Sequence, residues 1–239
     1  MRRLLAFVRF ALFVGLFLAL GEALNRVLPL IHFPDLAFTW QSILANKLLD
    51  FGLVVLIAWM LALVFRERFS TFGLPLVPDA GRLLVKGAVW GFIPSALILI
   101  PIFAAGACSF HGFALPAGQL IFYAAAWAAA MLAIGFAEEF MFRGYSLKAL
   151  SEAMGFWPAA ILLSSIFGLL HFFLKPQEDW IDPLSIALYG VFWSLTLRRT
   201  GSLWFAVGFH AASDYADMVV FAEPNTGNHG QPIPGHLLD

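Results

Sequence analysis

Residues 118–143 read GQLIFYAAAWAAAMLAIGFAEEFMFR. From Gly118 to Ala137 no side chain is charged, and the run has the length, about 20 residues, that carries a helix across a ~30 Å hydrocarbon layer. Inside a bilayer the backbone must satisfy its own polar groups, so only helices or closed barrels span it. The apolar stretches of the chain, this one included, are together rich in Leu, Ala and Phe and show no alternation of apolar and polar residues, which selects the helix. The same run ends on Glu138, Glu139 and Arg143, and the spacing predicts that the helix continues past them to Leu150.

Six further apolar segments flank this one, at about Phe10 to Leu24, Leu48 to Phe65, Gly87 to Ala105, Trp157 to Phe173, Pro183 to Leu197 and Leu203 to Phe221. The chain is 61% hydrophobic and 12% charged over 239 residues, far above the ~45–50% apolar usage of soluble domains. The expected fold is therefore all-α, a polytopic membrane helix bundle of about seven transmembrane helices. It forms a single membrane domain over residues 1–239, with a motif-bearing core at 118–221 and a short tail at 222–239. Pro94 and Pro101 should kink the third segment, because each removes a backbone donor. The lipid bilayer is the implied surrounding partner. A net charge of −1 gives no basic stripe for nucleic acid, and the single Cys108 excludes an internal disulfide framework and a cysteine-based zinc cluster.

Lys and Arg in the loops set orientation. By this placement Arg2, Arg3, Arg9, Arg66, Arg68, Arg82, Lys86, Arg143, Lys148, Arg198 and Arg199 share one side, and Arg26, Lys47 and Lys175 the other, 11 against 3. The bias puts the N-terminus in the cytoplasm and the C-terminus outside, in a multi-pass protein of the plasma membrane. Ala19-Leu20-Gly21 is a tolerable signal cleavage site, but the spans that follow favour a retained first anchor.

Ionisable groups in a span cost ~2.5–3.5 kcal/mol each and mark function by default. Here they are Glu138, Glu139 and Arg143 in the fourth segment, His171 in the fifth, and His210, Asp214 and Asp217 in the seventh. Glu139 and Arg143 stand four apart on a helix and can pair, as can His210 and Asp214. The bland reading of the first pair is an interfacial ion pair that pins a helix end. Glu138 resists that reading: it lies about 100° around the helix from Glu139, so one arginine is poorly placed to serve both. Adjacent carboxylates repel, which favours a base that works near neutral pH. His171 and His210 alone would be packing histidines, Phe167 an ordinary core aromatic, and Ser164 and Ser165 small packing residues. Together with the carboxylates, the two histidines form the kind of constellation a bundle core builds from facing helices. His32, His111, His229, His236 and Glu152 are given no role.

The sets Glu138-Glu139-Phe140-Met141-Phe142-Arg143, Phe167-Gly168-Leu169-Leu170-His171 and His210-Ala211-Ala212-Ser213-Asp214 resemble the CAAX protease and bacteriocin-processing enzyme family, whose pattern is Glu-Glu-x-x-x-Arg, Phe-x-x-x-His and His-x-x-x-Asn or Asp on consecutive helices. The resemblance implies an intramembrane glutamate endopeptidase similar to the Ras-converting enzyme, acting on a protein or peptide substrate at the membrane without cofactor or metal. It further implies that Glu138 activates the water and His171 helps to hold it. His210 and the residue at 214 would form the oxyanion site, with Glu139 and Arg143 orienting the shell. Where the best-known members carry Asn, this chain has Asp214, a donor only when protonated; it could instead favour a cationic His210. Depth is a further tension: His171 would lie about 21 Å along a helix from Trp157, but Glu138 only ~10–15 Å from the cytoplasmic end of a continued fourth helix.

Two other readings compete. A zinc site on Glu138, His171 and His210 lacks a His-Glu-x-x-His helix. A transporter or bacteriocin-immunity scaffold would suit the buried acids, but no inverted repeat or paired broken helices accompany them.

Reporter fusions after Arg68, Lys148 and Arg199 should read out in the cytoplasm, and fusions near Gly112 and Glu178 on the opposite side. Reversal of all five would overturn the orientation; a mixed pattern would overturn the helix count.

Overall fold

The computed structural model describes residues 1–31, 33–34, 38–174, 179–221 and 233–238. Each apolar segment lies on a helix: α1 (Arg2–Val27), α2 (Trp40–Phe65), α3 (Ala80–Ala104), α4 (Ala117–Glu139), α6 (Phe156–Leu174), α7 (Ile181–Thr200) and α8 (Trp204–Asp214). Beyond Glu139 the fourth helix continues as expected, through a π-helical turn (Phe140–Ser146) into α5 (Leu147–Met154). A second π turn (Tyr215–Val220) extends α8. The protein is an all-α membrane bundle, and the described residues hold no strand beyond the isolated bridge Phe113–Leu238.

Among the described residues, five stretches are long and apolar enough to cross a membrane on their own: Arg2–Ile31, Trp40–Phe65, Ala80–Ala104, Ala117–Met154 and Phe156–Leu174. α7 and α8 hold the other two expected segments. Asp182 opens α7 and Arg198 and Arg199 close it, while α8 proper is 11 residues long. The outer surface of the bundle is apolar, with Leu56, Trp59, Val89, Ile98, Phe122 and Phe173 exposed, whereas Glu139, Arg143 and His210 are buried. A charged interior under a hydrocarbon exterior suits a protein whose solvent is lipid.

Local chemistry sets the helix ends. Thr39 is extended and its side chain accepts from the Ser42 amide, capping α2. α2 therefore starts at Trp40 rather than near Leu48, which draws Lys47 out of the expected loop and into the bundle. Arg143 also belongs to the interior rather than to a loop; the charge bias does not depend on either residue. Gly155, at φ 93, turns α5 directly into α6 and so makes an antiparallel hairpin of the fourth and fifth segments.

With no hydrophobic force between helices in lipid, small residues and close backbone approach do the packing. α3 crosses α8 through glycines on both sides: a Cβ on Gly91 would lie 2.1 Å from the Phe209 carbonyl oxygen, and one on Gly208 2.0 Å from that of Leu84. This crossing fixes the height of Phe209 and hence of His210. Most of the expected tail, 222–232 and 239, lies outside the described residues. Ile233 is buried against the cluster around Trp127 and Val219, and the Trp127 indole donates to the Pro234 carbonyl at 3.0 Å.

Gly91→Ala and Gly208→Ala should each destabilise the detergent-solubilised protein by ~1–3 kcal/mol through overpacking. Gly15→Ala, with nothing within 4 Å, should not. Equal unfolding temperatures for all three would refute the tight α3–α8 crossing.

Candidate functional site

Glu138 and Glu139 are consecutive on α4 and so face different neighbours. The Glu139 side chain is fully buried and accepts from Arg143 Nη1 at 3.1 Å, one turn on, where the helix widens into its π turn. The guanidinium lies 4.6 Å from the Phe167 ring and 5.2 Å from the Trp193 ring, so aromatic faces supplement its one carboxylate. Gly190 on α7 makes the space, since a Cβ there would come within 2.2 Å of Arg143 Nη2.

His210 of α8 meets the same Glu139 oxygen through Nδ1 at 3.0 Å. An ionised carboxylate only accepts, so Nδ1 carries the hydrogen and Nε2 faces the other way. There Nε2 lies 3.5 Å from Asp214 Oδ2 and 3.8 Å from Glu138 Oε2. Trp193 stacks on the imidazole at 4.4 Å and 11°, which fixes the ring plane. Glu139 thus ties α4 to α8 while Arg143 neutralises it.

The hairpin at Gly155 removes the depth tension. From Glu138 to the end of α5 at Met154 is about 24 Å of helix, and from the start of α6 to His171 about 22 Å. Leu147 packs with Leu163 and Phe142 with Phe167, at 4.9 Å, stepping up the two helices in antiparallel register. The next step sets His171 opposite Glu138, with which it interacts electrostatically. His171 donates from Nδ1 to the Phe167 carbonyl at 2.9 Å, and the Phe167 ring meets the imidazole edge-on at 4.6 Å. With Nδ1 bound to a carbonyl, neutral His171 has Nε2 as its acceptor.

The structure thus gathers Glu138, Glu139, Arg143, His210 and Asp214 by direct contact, with His171 joined through Phe167. Asp217 lies in the π turn after α8. Ser164 is buried behind Gly190, beside Arg143, as a packing residue. Among the described residues no three His, Cys, Asp or Glu side chains are disposed to hold a metal ion.

Three participants escaped the sequence. Trp193 and Gly190 carry no signal in one chain. Lys47 does, in retrospect: it follows the helix-capping Thr39 by two turns, which places it inside a span. Its Nζ lies 2.8 Å from Glu138 Oε1. The second oxygen, Oε2, is buried and makes no hydrogen bond to the protein.

A family model described as Rce1-like, type II CAAX prenyl endopeptidase Rce1-like, matches residues 119–216, a span that holds all three motifs. No curated protein and no solved structure matches the chain.

Replacing Arg143 by Met strands a buried carboxylate and should cost ~3–5 kcal/mol of stability. The double variant Glu139→Gln/Arg143→Met should lose less than Arg143→Met alone. Denaturant unfolding in detergent measures both, and parental stability of Arg143→Met would show that the pair does not hold the core together.

Proposed function

The motif-bearing segment, residues 119–216, belongs with the Rce1-like type II CAAX prenyl endopeptidases, and from that premise we propose that Glu138 is the general base of an intramembrane peptide hydrolase. At family level the protein is a CAAX-type endopeptidase and an integral membrane protein. The observation that carries the glutamate mechanism is the division of labour between neighbouring carboxylates. Arg143 and His210 both bind Oε1 of Glu139, whereas Glu138, held by Lys47 at Oε1, turns Oε2 toward His210 Nε2 at 3.8 Å and lies within electrostatic reach of His171.

In this reading Glu138 Oε2 takes a proton from a water that His171 holds through its acceptor nitrogen, and the water oxygen attacks the scissile carbonyl carbon. The tetrahedral oxyanion is stabilised by His210, whose Nδ1 is anchored on Glu139 so that Nε2 is the nitrogen available to donate. Nε2 bears a hydrogen in the cationic ring, and Asp214 at 3.5 Å supports that charge. This assigns Asp214 to charge support rather than direct donation. Collapse of the intermediate breaks the C–N bond, and the proton held on Glu138 passes to the leaving amine. No serine or cysteine nucleophile is required. The substrate is a peptide segment of a membrane-associated protein, reached from within a bundle whose N-terminus faces the cytoplasm.

Glu138→Gln and His171→Ala should each lower peptide cleavage by ~10²–10⁴-fold without loss of membrane insertion or folding. Comparing the C-terminal and internal cleavage products in membranes carrying parent or Glu138→Gln protein would identify the substrate. Parental cleavage by purified Glu138→Gln protein would end the glutamate reading; loss on chelation with recovery on zinc would replace it with the metal one.

A further inference from the structure

A carboxylate acts as a base through one oxygen at a time, and nothing intrinsic distinguishes the two. On Glu138 they are distinguished by a residue from a distant helix. Lys47 of α2 holds Oε1 at 2.8 Å, while Oε2 is turned toward His210 Nε2 at 3.8 Å. Both partners are sheltered, with 30% of the lysine side chain and 18% of the glutamate side chain exposed. A lysine within a span is costly unless neutralised, and here its neutralising partner is the proposed base itself.

We infer that Lys47 is a positioning residue for the hydrolysis, selecting Oε2 of Glu138 as the proton acceptor by binding Oε1. The inference rests on Glu138 being the base. An ammonium is a compact point charge, suited to occupying one oxygen and leaving the other, where the guanidinium fork would tend to take both. The ammonium also fits both halves of the proton cycle. It favours the carboxylate before water is deprotonated, and once Oε2 carries the proton it favours release of that proton to the leaving amine. Lys47 keeps its own three protons throughout, so the balance is unchanged: one proton moves from water to Oε2 and from Oε2 to the amine nitrogen.

The other groups around Glu138 do not duplicate this role. On α4 and its π turn, Glu139 and Arg143 engage each other. His171 approaches from α6, and His210 and Asp214 from α8, on the Oε2 side. Asp50, one turn after Lys47, is a second anion within electrostatic reach of the ammonium and of Glu138. Lys47 is the one cation that pairs with Oε1 among the described residues.

The test uses the full chain in detergent, one fluorogenic peptide that the parent cleaves, and the variants Lys47→Met, Lys47→Arg, Glu138→Gln and Lys47→Met/Glu138→Gln. Lys47→Met should lower kcat by up to about 10²-fold, the scale of a misplaced reacting group, with little change in KM. Without the cation the carboxylate ionises less readily, so the acid limb of the pH–kcat profile should move to higher pH. Lys47→Arg should return the limb toward its parental position, because the charge is restored, but recover kcat only in part, because the fork competes for Oε2. A raised KM with parental kcat would make Lys47 a substrate anchor and overturn the inference. Equal losses in the Met and Arg variants with an unmoved profile would reduce it to packing. If Lys47→Met does not fold, the double variant should, because it removes both charges; failure of the double variant as well would count against the pairing. Activity in Glu138→Gln would instead refute the underlying base assignment, and inactive Glu138→Gln beside parental Lys47→Met would refute the positioning role alone.

Discussion

The buried contact of Glu139 with Arg143 and His210 is the interaction on which the rest of the site depends. A carboxylate with no exposed surface inside a membrane bundle needs compensation, and it receives it from a guanidinium one turn away and an imidazole on another helix. Once Glu139 is so occupied, its oxygen dictates which nitrogen of His210 faces Glu138 and Asp214, and Trp193 stacked on the ring holds the plane. The position of Glu138 follows, since it is the preceding residue on the same helix and must face the adjacent sector.

The irregular backbone lies where the charges lie. One π turn begins directly after Glu139 and contains Arg143; the other begins directly after Asp214. Wider turns of this kind are commonly found at functional sites, where they re-aim side chains without breaking a helix. Glycine provides the complementary device. Gly190 admits the guanidinium between α4 and α7, and the Gly91 and Gly208 contacts let α3 and α8 approach to backbone distance. Polar groups can then sit in the interior because the surrounding helices close tightly over them, while the outer surface stays apolar toward lipid.

A separate charged cluster lies near the other end of the bundle. Arg9 binds Glu67 at 2.5 Å and also Glu152, and Lys148 binds Glu67 at 2.5 Å and Glu152 at 3.1 Å. It joins α1, the turn after α2 and α5, and Phe13 stacked on Tyr145 at 4.8 Å continues the contact inward. Its groups are already paired with one another, which gives it the character of a clasp that anchors the hairpin carrying Glu138 and His171.

The sequence by itself determined the helical membrane architecture and the three motif sets, because hydrophobic span length and i, i+4 spacing are local properties that no tertiary contact needs to supply. The pairing of Glu139 with Arg143 was legible for the same reason. The tertiary structure decided which histidine serves which carboxylate, since that depends on the hairpin register set at Gly155 and on the height at which α8 crosses α3. It also moved Lys47 from a loop to the side of Glu138: an error of about two turns in a helix start is harmless for span counting, but it changes whether a charge faces water or the core. Trp193 and Gly190 were invisible for a plainer reason. Stacking on an imidazole and making room for a guanidinium are relations between helices, and only the packed bundle specifies which faces meet.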